Sequence, residues 1–375
     1  MSMNREKSTT SVVSDTMRAA RLHGIRDIHI DLVPRPTPAP GEVLLKMAAV
    51  GVCGSDVHYY LDGGIGDAVV TAPIIMGHEP SAYVAGLGDG VEGLEIDQLV
   101  AIEPAIPCGH CEMCKTGHPN LCPNVRFCGT PPIDGVFSEY AVMPAENCIP
   151  LPEGFSPIEG ALLEPLGVAI HTVDLSHIRV AQSLVVLGAG PIGLLIAAVA
   201  RAAGAGQILM TEPIPERRAF ALDYVADAVF DPQKEDVVAE VLRATNGRGV
   251  DIAFEAAGAP ETPQNGVDML RPGGTLVLCG IPSHEDKLTL TASSTRRKGL
   301  TIKMVRRMKF VYPRGIRMVQ RGMVDLKALA THFVTIESIP QAFEMVAGYE
   351  DGVIRAVALL DETLADSVNG VGRNR

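Results

Sequence analysis

Half of the chain's eight cysteines fall in one short run, "CGHCEMCKTGHPNLC", as Cys108, Cys111, Cys114 and Cys122. The spacing, C-x2-C-x2-C-x7-C, lets one tight loop turn four sulfurs onto a common centre, with Gly109 and Gly117 easing the turns. A disulfide knot and a metal site both fit such crowding. The N-terminal "MSMNREKSTTSVVSDT" has no apolar core and no small-residue cleavage site, so it does not read as a secretory signal. A signal-free chain is expected in the reducing cytoplasm, where disulfides are rare, and that favours metal. Four thiolates suit zinc or an iron–sulfur cluster, and a single group with no second cysteine cluster favours zinc. A closed four-sulfur shell leaves no place for substrate, so its expected role is structural. Of the remaining thiols, Cys128 reads as a spare, and Cys148 and Cys279 read as buried and inert.

Three further fragments, "GVCGSDVH", "MGHEP" and "LLEPLG", carry metal-capable side chains. Cys53, His78 and either Glu79 or Glu164 offer one sulfur, one nitrogen and one carboxylate oxygen. Such a trio leaves a fourth position on zinc open to water or substrate, which is what catalysis needs. The fragments lie far apart, so spacing alone does not choose among them.

A different signal lies in "VVLGAGPIG". Gly188, Gly190 and Gly193 stand in G-x-G-x-x-G register between an apolar strand and an apolar helix, with Pro191 and Ile192 inside the motif. The first glycine permits a tight turn, the second lets the backbone approach a pyrophosphate, and the third lets helix and strand pack closely. The phosphates then meet free N–H groups at the helix start. Glu212 ends the following strand, 22 positions after Gly190, where an acid receives ribose hydroxyls and repels a 2′-phosphate. NAD is therefore expected over NADP. Two readings compete: a glycine turn in an unliganded sheet, and a solvated Glu212 with Arg217 or Arg218 receiving a phosphate.

These residues need elements to hold them. From Met17 to about Pro157, glycine and proline break the chain into short strand-like pieces such as "EVLLKMAAVGV" and "AYVAGLG", expected to form a barrel-like β lobe. From about Ile158 to Thr301, strands such as "SLVVLGAG", "QILMTE", "VDIAFEAAG" and "GTLVLCG" alternate with helices such as "PIGLLIAAVARAAGA" and "IPERRAFALDYVA". That alternation predicts a parallel, doubly wound sheet. After Ile302 the chain is expected to rejoin the first lobe, with "VIRAVALLD" as its last strand. The 375 residues fit two domains. A net charge of −12, from 32 basic and 44 acidic residues, argues against nonspecific binding to nucleic acid or an anionic membrane. The uncharged run 184–200 is short for a membrane span, and Gly188, Gly190 and Pro191 cut it in two.

Taken in order, "GVCGSDVHYYLDGGIGD", "MGHEP", the thiol cluster, "FCGTPPIDG", "GALLEPLGVAIH" and "GAGPIG" resemble the medium-chain dehydrogenase/reductases. Within these they resemble the zinc-dependent polyol dehydrogenases of the sorbitol (L-iditol 2-) and xylitol (D-xylulose reductase) type. The resemblance implies an α/β chain with a GroES-like β-barrel catalytic domain at 17–157 and 302–365. It places a Rossmann NAD-binding domain at 158–301, and the polar sequences at the two ends read as a disordered tail at 1–16 and a C-terminal tail at 366–375.

The resemblance also implies roles. Cys53, His78 and Glu79 would hold a catalytic zinc, with Glu164 as the carboxylate that holds its water or exchanges onto the metal. Ser55 and His58 match a proton relay. Tyr59, Phe127 and Thr130 match residues lining a polyol pocket, and Arg307 matches the arginine that binds substrate hydroxyls. The implied reaction is zinc- and NAD-dependent oxidation of a polyol, xylitol or sorbitol, to the 2-ketose by hydride transfer. A homotetramer without nucleic-acid or membrane partners is implied as well. The chain departs from the family at Met308, where an aromatic residue is usual, at Pro80 of "GHEP", and at "IDQLVA". Another zinc alcohol or threonine dehydrogenase is the alternative, against which "TPPIDG" and Arg307 speak. A non-catalytic NAD- and zinc-binding protein would be expected to have a broken ligand set, and here the set is complete.

Overall fold

The computed structural model describes residues 15–282, 287–361 and 364. The tail expected at 1–16 lies outside them except for its last two positions, and so does the tail at 366–375. Leaving aside two-residue ladders, the first lobe is built from β1 (Thr16–Gly24), β2 (Asp27–Pro34), β3 (Glu42–Gly51), β4 (Glu79–Leu87), β5 (Leu99–Ile102), β6 (Tyr140–Pro144) and β7 (Cys148–Pro150). The second lobe takes β8 (Ser183–Leu187), β9 (Gln207–Thr211), β10 (Ala228–Phe230), β11 (Val250–Glu255), β12 (Leu270–Leu278) and β13 (Thr301–Met304). The chain then returns to the first lobe as β14 (Ala330–Val334) and β15 (Arg355–Leu359).

The seven-stranded sheet runs β7-β5-β4-β3-β15-β14, with β6 also paired to β3. Its pairs are antiparallel except β14 with β15, and β15 lies against β3 with Val357 opposite Gly51. The end of the chain thus completes the lobe that the beginning starts. The six-stranded sheet is parallel throughout, in the order β10-β9-β8-β11-β12-β13. Counted along the chain that order is 3-2-1-4-5-6, which opens a crevice between β8 and β11 where the winding reverses. Strands covered on both faces read as continuous apolar runs, and β11, "VDIAFE", is buried along its whole length. β13 pairs with β12 from Thr301 to Met304, so this sheet runs past residue 301, where its end was expected.

Six helices matter for the site: α1 (Gly54–Asp62), α2 (Glu112–Lys115), α3 (Pro157–Ser176), α4 (Pro191–Ala202), α5 (Pro215–Tyr224) and α6 (Tyr312–Gln320). α3 starts at a reciprocal cap. The Ser156 hydroxyl accepts the Glu159 N–H, the Glu159 carboxylate accepts the Ser156 N–H, and Pro157 sits at the first helical position. Most of α3 is buried, because it packs on β3, β4 and β5 of one sheet and on α4 and α6. One hydrophobic core therefore joins Ala49 and Ala101 to Leu162, Leu166, Leu184 and Leu195. The border expected at residue 158 falls inside a helix that both sheets share. Among the described residues no helix is long and apolar enough to cross a membrane.

Candidate active site and metal centres

Cys53 is the N-cap of α1, directly after β3 ends at Gly51. His78 and Glu79 come from the start of β4, whose register sets Glu79 opposite Gly51. One potential ligand atom from each of Cys53, His78 and Glu79 lies within 4.8 Å of the others, within reach of one ion. Both Glu79 oxygens are buried without a hydrogen-bond donor, and Arg355 Nη1 stands 3.1 Å from Oε1 as an ion-pair partner. Arg355 thus offsets the buried charge from the Oε1 side, and Oε2, with no donor and grouped with a thiol and an imidazole, fits a zinc ion.

Asp56 organises this centre, and its role was not foreseen from sequence. It is fully buried, and its carboxylate accepts the backbone N–H groups of Cys53 at 3.2 Å and Gly77 at 3.3 Å. It also faces His78 Nδ1 at 3.2 Å, which leaves Nε2 for the metal. Ser55 Oγ lies 3.3 Å from that Nε2. His58, one turn along α1 from Ser55, keeps Nδ1 3.3 Å from Asp62 and is about a quarter exposed. Arg355 was missed in the same way, although a guanidinium inside the apolar run "VIRAVALL" was a legible signal; it donates to the Val52 carbonyl at 2.7 Å.

The open side of the trio is polar and aromatic. Phe127 packs against His78 with ring centroids 5.3 Å apart, and the Arg307 guanidinium lies 4.0 Å over the Phe127 ring. Arg307 Nη1 is buried without a hydrogen-bond partner. Burial pushes the pKa of the Tyr59 hydroxyl up, keeping it protonated, and its hydrogen bond with Thr130 opposes that rise. α3 brings in Glu164, whose carboxyl burial pushes up to about 8; His78 opposes the rise and Glu79 and Glu103 add to it. Glu103, at the end of β5, is a further carboxylate that sequence reasoning passed over. Burial raises it to about 7, against the Ala105 N–H and Arg307.

The second cluster is separate. One sulfur from each of Cys108, Cys111, Cys114 and Cys122 lies within 4.8 Å of the rest, around the single turn of α2. Cys111 Sγ and Cys114 Sγ are 3.5 Å apart. Zn–S bonds of about 2.3 Å set tetrahedral sulfurs about 3.8 Å apart, so the four fit zinc closely. Without an ion the four thiols divide: the N–H groups of His110 and Cys111 pull the Cys108 thiol down to about 6, while burial and its hydrogen bond with Cys111 push Cys114 up to about 12. Burial also lifts Cys128, Cys148 and Cys279 to about 11, 12 and 11.

Between β8 and α4 lies the glycine loop. Gly188 has φ of +101°, and a Cβ on Gly193 would sit 2.0 Å from the Gly188 carbonyl oxygen, so neither position admits a side chain. Gly190 is the N-cap of α4, and Pro191 and Ile192 open that helix with no side chain capping it. That arrangement fits a pyrophosphate. Glu212 is buried just beyond β9 and accepts the N–H groups of Ala189 at 2.8 Å and Ile214 at 3.0 Å. Arg217 on α5 donates twice to the Val353 carbonyl, at 2.9 and 3.2 Å, with Nη1 near the Gly190 backbone. Arg218 bonds the carbonyls of Glu212 and Pro213 and pairs with Asp231 at 2.9 Å.

Comparison with known proteins agrees with this geometry. The family described as "Alcohol dehydrogenase GroES-like domain" matches residues 39–153, and "Zinc-binding dehydrogenase" matches residues 191–321. A sorbitol dehydrogenase of Bacillus subtilis (strain 168) is 36% identical over 348 residues, 93% of this chain and 98% of that protein. A D-xylulose reductase A of Aspergillus oryzae is 38% identical over 335 residues, 87% of this chain and 92% of that protein. Among solved structures, a 2R,3R-butanediol dehydrogenase from Bacillus subtilis superposes with a TM-score of 0.83 at 32% identity, covering 92% of this chain and 100% of that one.

Proposed function

This chain belongs to the zinc-dependent medium-chain polyol dehydrogenases, and we propose that it oxidises a five- or six-carbon polyol, xylitol or sorbitol, to the 2-ketose with NAD. The observation that carries this reading is the pairing of two unsatisfied groups. A Glu79 carboxylate that keeps Oε2 free of donors beside its ion pair with Arg355 sits with Cys53 and His78, and an unpartnered Arg307 Nη1 belongs to a guanidinium over Phe127, whose ring packs on His78. The first, grouped with a thiol and an imidazole, fits a metal ion, and the second fits a substrate oxygen.

Cys53, His78 and Glu79 would hold a zinc ion that would supply Lewis acidity toward an alcohol oxygen, and the glycine loop would hold the NAD that would supply the hydride acceptor. The chain's own residues do the rest. Asp56 holds the imidazole of His78 and the Cys53 backbone in place, so the ligand set is formed before substrate arrives. Ser55 stands at the buried end of a proton path and His58 at its wetter end, about a quarter exposed. Arg307, Thr130 and Glu164 receive or donate to the hydroxyls of the polyol, while Tyr59 and Phe127 wall the pocket. Cys108, Cys111, Cys114 and Cys122 hold a second, structural zinc. A homotetramer in the cytoplasm completes the reading.

The relation to a butanediol dehydrogenase gives the rival, a simple secondary alcohol as substrate. Polar groups left unpaired by a small alcohol cost about 1–3 kcal/mol each, more when charged. Xylitol should therefore exceed propan-2-ol in kcat/KM by at least about a hundredfold. Propan-2-ol matching the best polyol would hand the assignment to the rival.

A further inference from the structure

We propose that the four-thiol loop positions Arg307 for the polyol, acting through Asn120 and Lys309. The proposal rests on the reading of Arg307 as a polyol-binding residue. Arg307 lies between β13 and α6 with φ of +53°, a left-handed backbone that a side-chain-bearing residue keeps only when its surroundings impose it. That angle is the rotation of the residue against the peptide before it, the one ending in the Arg306 carbonyl. Asn120 Nδ2 donates to that carbonyl at 2.9 Å. Two residues past Arg307, Lys309 Nζ donates to the Gly117 carbonyl at 3.1 Å. Both flanks of Arg307 are thus tied to residues 117–120, the segment spanning Cys114 to Cys122.

Asn120 is itself firmly placed. It is buried, it sits in the single 3-10 turn Pro119–Leu121 ahead of Cys122, and its Nδ2 is 3.4 Å from His171 Nε2 on α3. The ring under the guanidinium comes from the same excursion of the chain, since Phe127 pairs with Ala105 just before the first cysteine of the cluster. The thiol lobe therefore sets the backbone, and part of the bed, of the side chain that meets substrate hydroxyls. It supplies no ligand to the open metal position and meets that trio through the Phe127 ring on His78. Its influence should fall on recognition of the polyol and spare the oxidation of an alcohol too small to reach Arg307.

The test compares kcat/KM for xylitol and propan-2-ol in the wild type, Asn120→Ala, Lys309→Met, Arg307→Ala, and each of the first two combined with Arg307→Ala. Asn120→Ala and Lys309→Met should each lower the xylitol-to-propan-2-ol ratio about tenfold, mainly through KM for xylitol, with zinc content per chain unchanged. In the Arg307→Ala background neither should change the ratio further, because residues acting through Arg307 cannot add to its loss. Lys309→Met keeps the alkyl stem and carries the test alone if Asn120→Ala does not fold. Equal losses on both alcohols, an unchanged ratio, or a full further loss in the Arg307→Ala background would each overturn the proposal while leaving the polyol reading intact. A wild type with no preference for xylitol overturns both.

Discussion

Gly51 and Glu79 stand opposite each other on β3 and β4, and a Cβ on residue 51 would lie 2.1 Å from Glu79 Oε2. The carboxylate occupies space that only a glycine leaves. Gly51→Ala is therefore expected to displace Glu79 and to weaken the open metal site about 10–100-fold, as loss of a supporting contact typically does. Elemental analysis after dialysis against a mild chelator should find about one zinc per chain where the wild type keeps two. A variant that keeps both ions and full turnover would remove Glu79 from the ligand set.

The two metal centres should separate by substitution. Cys111→Ser opens the closed sulfur shell, so one zinc is lost and the thermal midpoint falls, since binding free energy of a structural zinc is folding free energy. Cys53→Ser should abolish turnover with the midpoint nearly kept. Iron with visible absorbance in the purified protein would instead assign the four-sulfur cluster to a different metal.

For the cofactor, kcat/KM with NAD should exceed that with NADP by at least about a hundredfold if the Glu212 carboxylate, which we propose faces the adenosine ribose, repels a 2′-phosphate. The nearby cations offer little relief. Arg218 is spent on two carbonyls and Asp231, and Arg217 gives Nε and Nη2 to the Val353 carbonyl, which leaves only Nη1 beside Gly190. Glu212→Ala should narrow the ratio, chiefly through a higher KM for NAD. Equal use of both dinucleotides by the wild type would show that the arginines dominate.

Asp251 supplies a pH signature away from the active site. Burial would raise its carboxyl, but hydrogen bonds from Arg248, Arg271 and the Ser183 N–H bring it well below the usual carboxylate range. A depressed folded pKa means that the stabilisation is complete above the unfolded value of about 4 and is lost as pH falls through the folded one. Asp251→Asn should cost about 2 kcal/mol at pH 7, judged by urea midpoints, and progressively less below pH 4. A constant difference from pH 7 to pH 2 would rule out the charge as its source.

Much of this was legible in sequence where one residue type does one physical job. The glycine loop and the four-thiol spacing are local, so their patterns survive in one dimension. The parallel sheet was legible because strands covered on both faces are continuously apolar. The placement of β13 was not, since "TIKM" is a short edge strand with its apolar residues partly exposed. Asp56 and Arg355 escaped notice because their work is to hold other residues across the fold, and spacing cannot express a partner 22 or 276 positions away. Asn120 escaped for the same reason; its partner is a backbone carbonyl 186 positions on.

The helix that delivers Glu164 is also the main strut between the two sheets. Because α3 buries one side on β3, β4 and β5 and the other on α4 and α6, neither lobe can unfold without stripping apolar cover from its neighbour. The chain should melt in one cooperative transition, with calorimetric and van't Hoff enthalpies equal, as if it were a single domain. Any opening of the cleft around the cofactor must then proceed by small sliding of packed surfaces along α3, a shear in place of a hinge.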